Sequence, residues 1–207
     1  MDQRTAWERW YQNNPTVWKG SLLPLPRLRK GARVLDVGCG TGNTMLQALE
    51  MGYEVVGIDI SSTAVSRARE RISSRGFEAD VIEGDLFLLA GEFGKFDCVL
   101  LHHVLDNLLL EDRKKAVRVC RDILGEGGVL SFQDLSVNDV RFGAGEEIEK
   151  NTFLKGDGIL NHFFSLEEVR ELFEEMEELS LEEVEWVQGK GPRRMVRSRI
   201  SGVFQPL

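Results

Sequence analysis

The sequence predicts an α/β fold, a doubly wound sheet with helices on both faces. From Ala32 onward, short apolar strand patterns alternate with helical ones, which is the mark of strand–helix–strand units around a parallel sheet. The segment FDCVLLHHV (96–104) is apolar on both alternating faces, as a strand covered by helices on each side must be.

Each element follows from its own pattern. Trp7, Trp10 and Tyr11 share one face of an N-terminal helix. LPLPRL (23–28) reads as an extended connector, because a residue before proline is driven out of the helical region. ARVLDV (32–37) is a buried strand, and TMLQALEM (44–51) a helix stopped by Gly52. EVVGIDI (54–60) is the second strand. Residues 63–74 place Ala64, Val65, Ala68 and Ile72 on one helical face. ADVIEGD (79–85) and 96–104 are the third and fourth strands, residues 111–124 a helix ending at Gly125, and GGVLSFQD (127–134) the fifth strand. Ser165 and Glu168 form a capping box, with Leu166, Val169, Leu172, Phe173 and Met176 following at helical spacing. Strands near 181–187 and 195–204 close the chain as an antiparallel hairpin, giving seven strands in all. Residues 1–30, rich in Trp and Pro, form a separate helical segment; 31–207 is the main domain, with 138–161 inserted in it.

Composition narrows the function. A length of 207 residues with 42% hydrophobic content suits one domain with a small appendage. No stretch approaches the ~18 apolar residues of a membrane helix, and MDQRTAWERW has no signal-peptide core. Cys39, Cys98 and Cys120 are odd in number and lack CxxC spacing, which predicts a reducing, cytoplasmic setting without disulfides or zinc. With only His102, His103 and His162, no metal site is expected. The net charge of −8 is uneven: residues 165–185 carry ten Glu and one Arg (−9), leaving about +1 for the rest. The stretch GKGPRRMVRSR (189–199) holds five basic residues and no acid, either a solvated strand or a face that meets phosphates.

The chemistry centres on VLDVGCGTGN (34–43). Its glycines are spaced G-x-G-x-G, not the G-x-G-x-x-G of a dinucleotide site, and Asp36 would repel a pyrophosphate. No Lys follows Gly42, so a phosphate-binding P-loop fails too. D-x-G-C-G-T-G resembles motif one of the Rossmann-like, class I S-adenosylmethionine (SAM) methyltransferases. SAM carries an ammonium and a sulfonium, which a carboxylate at Asp36 suits, and bare backbone at Gly38 and Gly40 lets a ligand lie against the turn. The resemblance implies that Asp59, 21 residues after Gly38, accepts from the ribose hydroxyls. It further implies that Asp85 receives the adenine amino group, with Leu86 against the ring and Ile60 beside it. FDCVLLHHVLDNL, which includes Leu101, resembles the family's fourth-strand motif, whose end faces the methyl group, and LGEGGVLSF its turn into the fifth strand.

In-line methyl transfer needs mainly positioning and exclusion of water, and a base only if the nucleophile must lose a proton. His102, His103, Asp106 and Asn107 follow the fourth strand and are the nearest candidates; His102, Asp106 and Asp134 are carried forward as catalytic.

The flanks resemble the transfer RNA 3-methylcytidine methyltransferases. WERWYQNNPTVWKG, FQDLSVND, FLKGDGILNHFFSLEEVRELF and RSRISGVFQP each match a stretch of that family's pattern. The resemblance implies that Trp7 and Tyr11 close over SAM, and that the methyl acceptor is a cytidine ring nitrogen needing no base. Asp134 or Asp157 would then stabilise the cationic product. Asp157, Phe163, Arg193 and Arg197 are the substrate-side candidates; Asp157 also fits a plain turn, Phe163 a core position, and the arginines an exposed strand. Gln133 stands where the family has Arg, and the basic stretch before the last strand is shortened. Two other readings stay open: a small-molecule methyltransferase with 1–30 and 138–161 as lids, and a SAM-binding accessory subunit that needs a partner. The oligomeric state is not fixed by the sequence.

Overall fold

The computed structural model describes residues 2–14, 24–89, 94–189 and 194–207. Its elements run α1 (Gln3–Asn13), β1 (Arg33–Val37), α2 (Asn43–Glu50), β2 (Glu54–Asp59), α3 (Ser62–Ser74), β3 (Asp80–Glu83), α4 (Leu86–Leu89), β4 (Phe96–His102), α5 (Leu110–Asp122) and β5 (Leu124–Leu135). Then come β6 (Glu146–Glu149), β7 (Thr152–Leu154), β8 (Leu160–His162), α6 (Leu166–Leu172), β9 (Met176–Gln188) and β10 (Met195–Pro206).

One sheet of seven strands has the order β3-β2-β1-β4-β5-β10-β9. β1 to β5 are parallel; β10 runs antiparallel to both β5 and β9. Strand alternation divides the core. Val34, Val55, Cys98 and Leu100 pack under α2 and α3, while Leu35, Val99, Leu101 and Phe132 pack under α5 and α6. Chain order reverses between β1 and β4, so the crevice at their carboxyl ends is where such a sheet takes its ligand.

Between β5 and α6 lies a second, three-stranded sheet, β6-β7-β8. It is tied to the main domain by polar contacts. Glu149 Oε2 accepts from the Leu110 amide at the start of α5 (3.0 Å) and lies 3.6 Å from Nη2 of the almost fully buried Arg113. Thr152 Oγ1 meets His162 Nδ1 at 2.8 Å, and His162 Nε2 lies 2.8 Å from Glu168 Oε1.

Two boundaries differ from the sequence reading. α6 stops at Leu172, and Met176 opens β9 instead of closing a helix. Met176 is buried all the same, in the core that holds Val169 and Phe173; burial in a shared core imitates helical periodicity across a helix–strand junction. Likewise α5 ends at Asp122 and β5 already begins at Leu124, with a register shift opposite Phe96/Cys98 that absorbs the glycine turn.

Candidate active site

A cleft of about 540 Å³ opens at the carboxyl ends of β1 to β4. Its floor is Val37, Gly38, Ile58, Asp59 and Ile60; one wall is Gly84, Asp85, Leu86 and Phe87; the far end is His103, Val104, Asn107 and Leu108. α1 contributes Gln3, Arg4, Trp7 and Tyr11, and the small sheet contributes Ile148, Leu154 and Leu160.

The glycine loop is built for close approach. Gly38 and Gly40 have φ of +64° and +54°, which L side chains rarely adopt. A Cβ on Gly40 would stand 2.7 Å from Tyr11 Oη, and one on Gly38 3.0 Å from the Val104 side chain. Asp59 holds the loop in place: Oδ2 accepts from Gly40 N and Oδ1 from Ser61 N, both at 2.8 Å. Burial raises the Asp59 carboxyl against those two amide bonds. Asp36 lies fully buried beneath the loop, and its Oδ2 has no hydrogen-bond partner. Burial, then the neighbouring Asp59, push its pKa up to about 8. A buried carboxylate oxygen without a partner is one that a nearby cation would stabilise in its charged form. Asp85 Oδ1 accepts from Phe87 N at 2.9 Å, which fixes the turn into α4.

α1 is fastened on two sides. Glu8 accepts from Ser61 Oγ (2.6 Å), Thr63 Oγ1 (2.5 Å) and Thr63 N (3.2 Å), which seats its carboxylate on the N-terminus of α3. Burial works to raise the Glu8 pKa, but these bonds outweigh it and hold it at about 2. Arg4 Nη1 donates to Ile60 O (2.9 Å). Gln3 bonds the small sheet through Gly158 O (2.9 Å) and Leu160 N (3.2 Å). The contacts of Gln3, Arg4 and Glu8 have no short-range sequence signal; Ser61 lies 53 residues from Glu8.

Trp7, Tyr11, Gly38, Asp59, Ile60, Asp85 and Leu86 line the cleft together. Leu101, Asp36 and Gly40 do not: Leu101 and Asp36 are buried, and Tyr11 stands over Gly40. The two histidines after β4 split, and His102 is corrected. It faces the sheet interior, with Nε2 2.9 Å from Ser131 Oγ. Burial, then His103 and Arg199, lower its pKa to about 3, so the imidazole is uncharged near neutral pH. His103 lines the cleft instead, turned there by a positive φ of 58°. Its Nδ1 lies 3.7 Å from Asp106 Oδ2 and 3.6 Å from Asp134 Oδ1.

The substrate-side candidates do not converge. Asp157 closes a turn by accepting from Ile159 N (3.1 Å) and pairs with Lys155. Phe163 packs against Phe142 and Phe153 at 5.5 and 5.9 Å between ring centroids, away from the cleft. Arg197 is engaged by Asp139 Oδ2 (2.8 Å) and lies over Trp186. Arg193 lies outside the described residues. Among the described residues, no helix is long and apolar enough to cross a membrane.

Known proteins fit this geometry. Residues 34–128 match the family described as "Methyltransferase domain". The tRNA N(3)-cytidine methyltransferase METTL2 of Danio rerio is 31% identical over 152 residues, covering 68% of this chain and 43% of that protein. This chain therefore spans less than half the length of that relative. A SAM-dependent methyltransferase of Anabaena variabilis shares the fold with a TM-score of 0.74 at 18% identity, covering 100% of this chain and 96% of that one. The 1,6-didemethyltoxoflavin-N1-methyltransferase of Burkholderia thailandensis, solved with 1,6-didemethyltoxoflavin and S-adenosylhomocysteine, shares it at 0.66 and 16% identity, covering 86% and 72%. With its sheet order, its glycine loop and the strand-end acids around one cleft, this chain is a class I, Rossmann-like SAM-dependent methyltransferase that resembles the transfer RNA 3-methylcytidine methyltransferases.

Proposed function

We propose that this chain methylates a ring nitrogen of a cytidine in RNA, with SAM held in the β1–β4 cleft. SAM, when bound, supplies a methyl carbon activated by a sulfonium leaving group. Asp36 would meet its ammonium, Asp59 the ribose hydroxyls through lone pairs not used on Gly40 and Ser61, and Asp85 the adenine amine. Ile60 and Leu86 would flank the adenine ring, and Trp7 and Tyr11 would close over the ligand from α1 and exclude water.

The observation that carries the acceptor reading is the charge of the far end of the cleft. His103 and Asn107 stand there with the Asp106–Asp134 carboxyl pair behind them. Burial, then Asp106, raise the Asp134 carboxyl. A cytosine ring nitrogen attacks through its own lone pair and becomes cationic, which a negative floor stabilises without any base. The relatedness to METTL2 points the same way.

A second reading, a small-molecule acceptor, is favoured by the closed walls: α1 and the small sheet both border the cleft, and the Arg197 guanidinium is already engaged by Asp139. The discriminating experiment offers labelled SAM with total transfer RNA and, separately, with a metabolite extract, followed by nucleoside mass spectrometry. Labelled 3-methylcytidine supports the RNA reading; label in the metabolite extract alone replaces it with the second. SAM bound with no transfer to either would indicate a missing partner.

A further inference from the structure

The cleft has two halves, and one side chain joins their covers. α1 brings Trp7 and Tyr11 to the cofactor half, while the small sheet lends Ile148, Leu154 and Leu160 to the wall. β8 packs against the Leu105–Asn107 turn, which carries Asn107 into the far end. Gln3, the first residue of α1, spans the gap. Its Nε2 donates to Gly158 O at 2.9 Å, and its Oε1 accepts from Leu160 N at 3.2 Å.

This pair of bonds has the pattern of a strand. β8 is the end strand of the order β6-β7-β8, so no further strand of that sheet bonds its outer edge. A neighbouring strand would meet one C=O and the N–H two residues on with the N–H and C=O of a single facing residue. The side-chain amide of Gln3 supplies the same donor and acceptor, whereas an ionised glutamate lacks the donor and a lysine the acceptor. The small sheet's strands are only three or four residues long, and so small a sheet depends for its order on what it docks against.

Gln3, Trp7 and Tyr11 recur at i, i+4 and i+8, so they share one face of α1. A ligand that seats Trp7 and Tyr11 therefore sets the place of Gln3, and through it the edge of β8. We propose that Gln3 is a positioning residue for the methyl acceptor: it makes the order of the small-sheet wall depend on the cofactor, so that SAM binds first and completes the surface the acceptor meets. The link rests on SAM lying under Trp7 and Tyr11, the reading given above, and holds for either class of acceptor.

Hydrogen exchange of the full chain, with and without SAM, tests the link without any acceptor. The readout is the amides of residues 151–154 and 161–163, which are not the ones Gln3 bonds. Saturating SAM should slow them by roughly fivefold or more in the wild type, and by less than about twofold in Gln3→Ala and Gln3→Met, both of which still bind SAM. Met keeps the length and helix propensity of Gln and removes the amide, so a loss common to both variants comes from the two hydrogen bonds. No slowing in the SAM-saturated wild type, or undiminished slowing in the two variants, overturns the link. Trp7→Ala separates the two readings. SAM affinity unchanged there refutes the seat of SAM under α1, whereas weakened affinity together with slowing that survives Gln3→Met overturns the link alone.

Discussion

Glu8 and Ser61 lie 53 positions apart, yet Ser61 Oγ donates to Glu8 Oε2 at 2.6 Å. That bond, with those from Thr63, pins the helix carrying Trp7 and Tyr11 to the N-terminus of α3. The cover of the cofactor cleft is thus held by a helix-capping interaction contributed from another element.

Loss of a helix-capping side chain costs about 1 kcal/mol. Glu8→Ala should therefore loosen α1 and weaken SAM binding by roughly fivefold. The Glu8 pKa is depressed from 4.5 to about 2, so its contribution is intact above pH 4.5 and disappears as pH falls toward 2. Hydrogen exchange of the α1 amides checks this; unchanged protection in the variant would refute the anchoring role.

Asp36 behaves in the opposite sense. Its pKa is raised from 3.8 to about 8, so folding favours the protonated form and the ligand-free chain loses stability as pH rises between those values. An ammonium needs the carboxylate, so SAM affinity should increase from pH 6 to 8 with release of a proton. Asp36→Asn should stabilise the ligand-free chain at pH 8 yet weaken SAM binding and abolish its pH dependence. Calorimetry in buffers of different ionisation enthalpy reads the proton; affinity flat across this range in the wild type would contradict the assignment.

His102 should affect stability, not catalysis. Replacing it by Leu leaves the buried Ser131 hydroxyl without its partner, a loss of about 1–3 kcal/mol. With a pKa near 3, His102 contributes no inflection to the rate profile above pH 5. Denaturant unfolding and a pH–rate profile check both statements; an inflection near neutrality that vanishes in His102→Leu would restore it as a proton carrier.

Gly40→Ala should cost cofactor affinity more than fold. The new Cβ would stand 2.7 Å from Tyr11 Oη at a φ of +54°, and an L residue in that region costs about 1–2 kcal/mol. We expect SAM binding to weaken by tenfold or more, as the tyrosine is displaced from the loop. A Tyr11→Phe background relieves the contact with the hydroxyl and should recover part of the loss, which equilibrium binding measures.

The order of β1 to β5 and their helices was legible because buried strands and amphipathic helices have distinct periods, and Val34 and Leu35 each had to face a helix layer. The cleft acids Asp59 and Asp85 were legible too, because ligands of such a sheet meet its strand ends. Adjacent residues were harder to separate. His102 and His103 are neighbours of identical chemistry, and only backbone torsion at 103 sends one into the sheet and the other into the cleft. Phe163 and Arg197 look like recognition residues in a string of letters, but partners distant in sequence, Phe142 and Asp139, claim them. Local spacing and the chemistry of the glycine loop specify the seven strands of the main sheet and their helices, but not the small sheet β6-β7-β8, whose strands of three or four residues are too short to show a period. Which side chains share the site depends on packing, because Glu8, Gln3 and the His103–Asp106–Asp134 trio draw on contacts that close only when the chain folds.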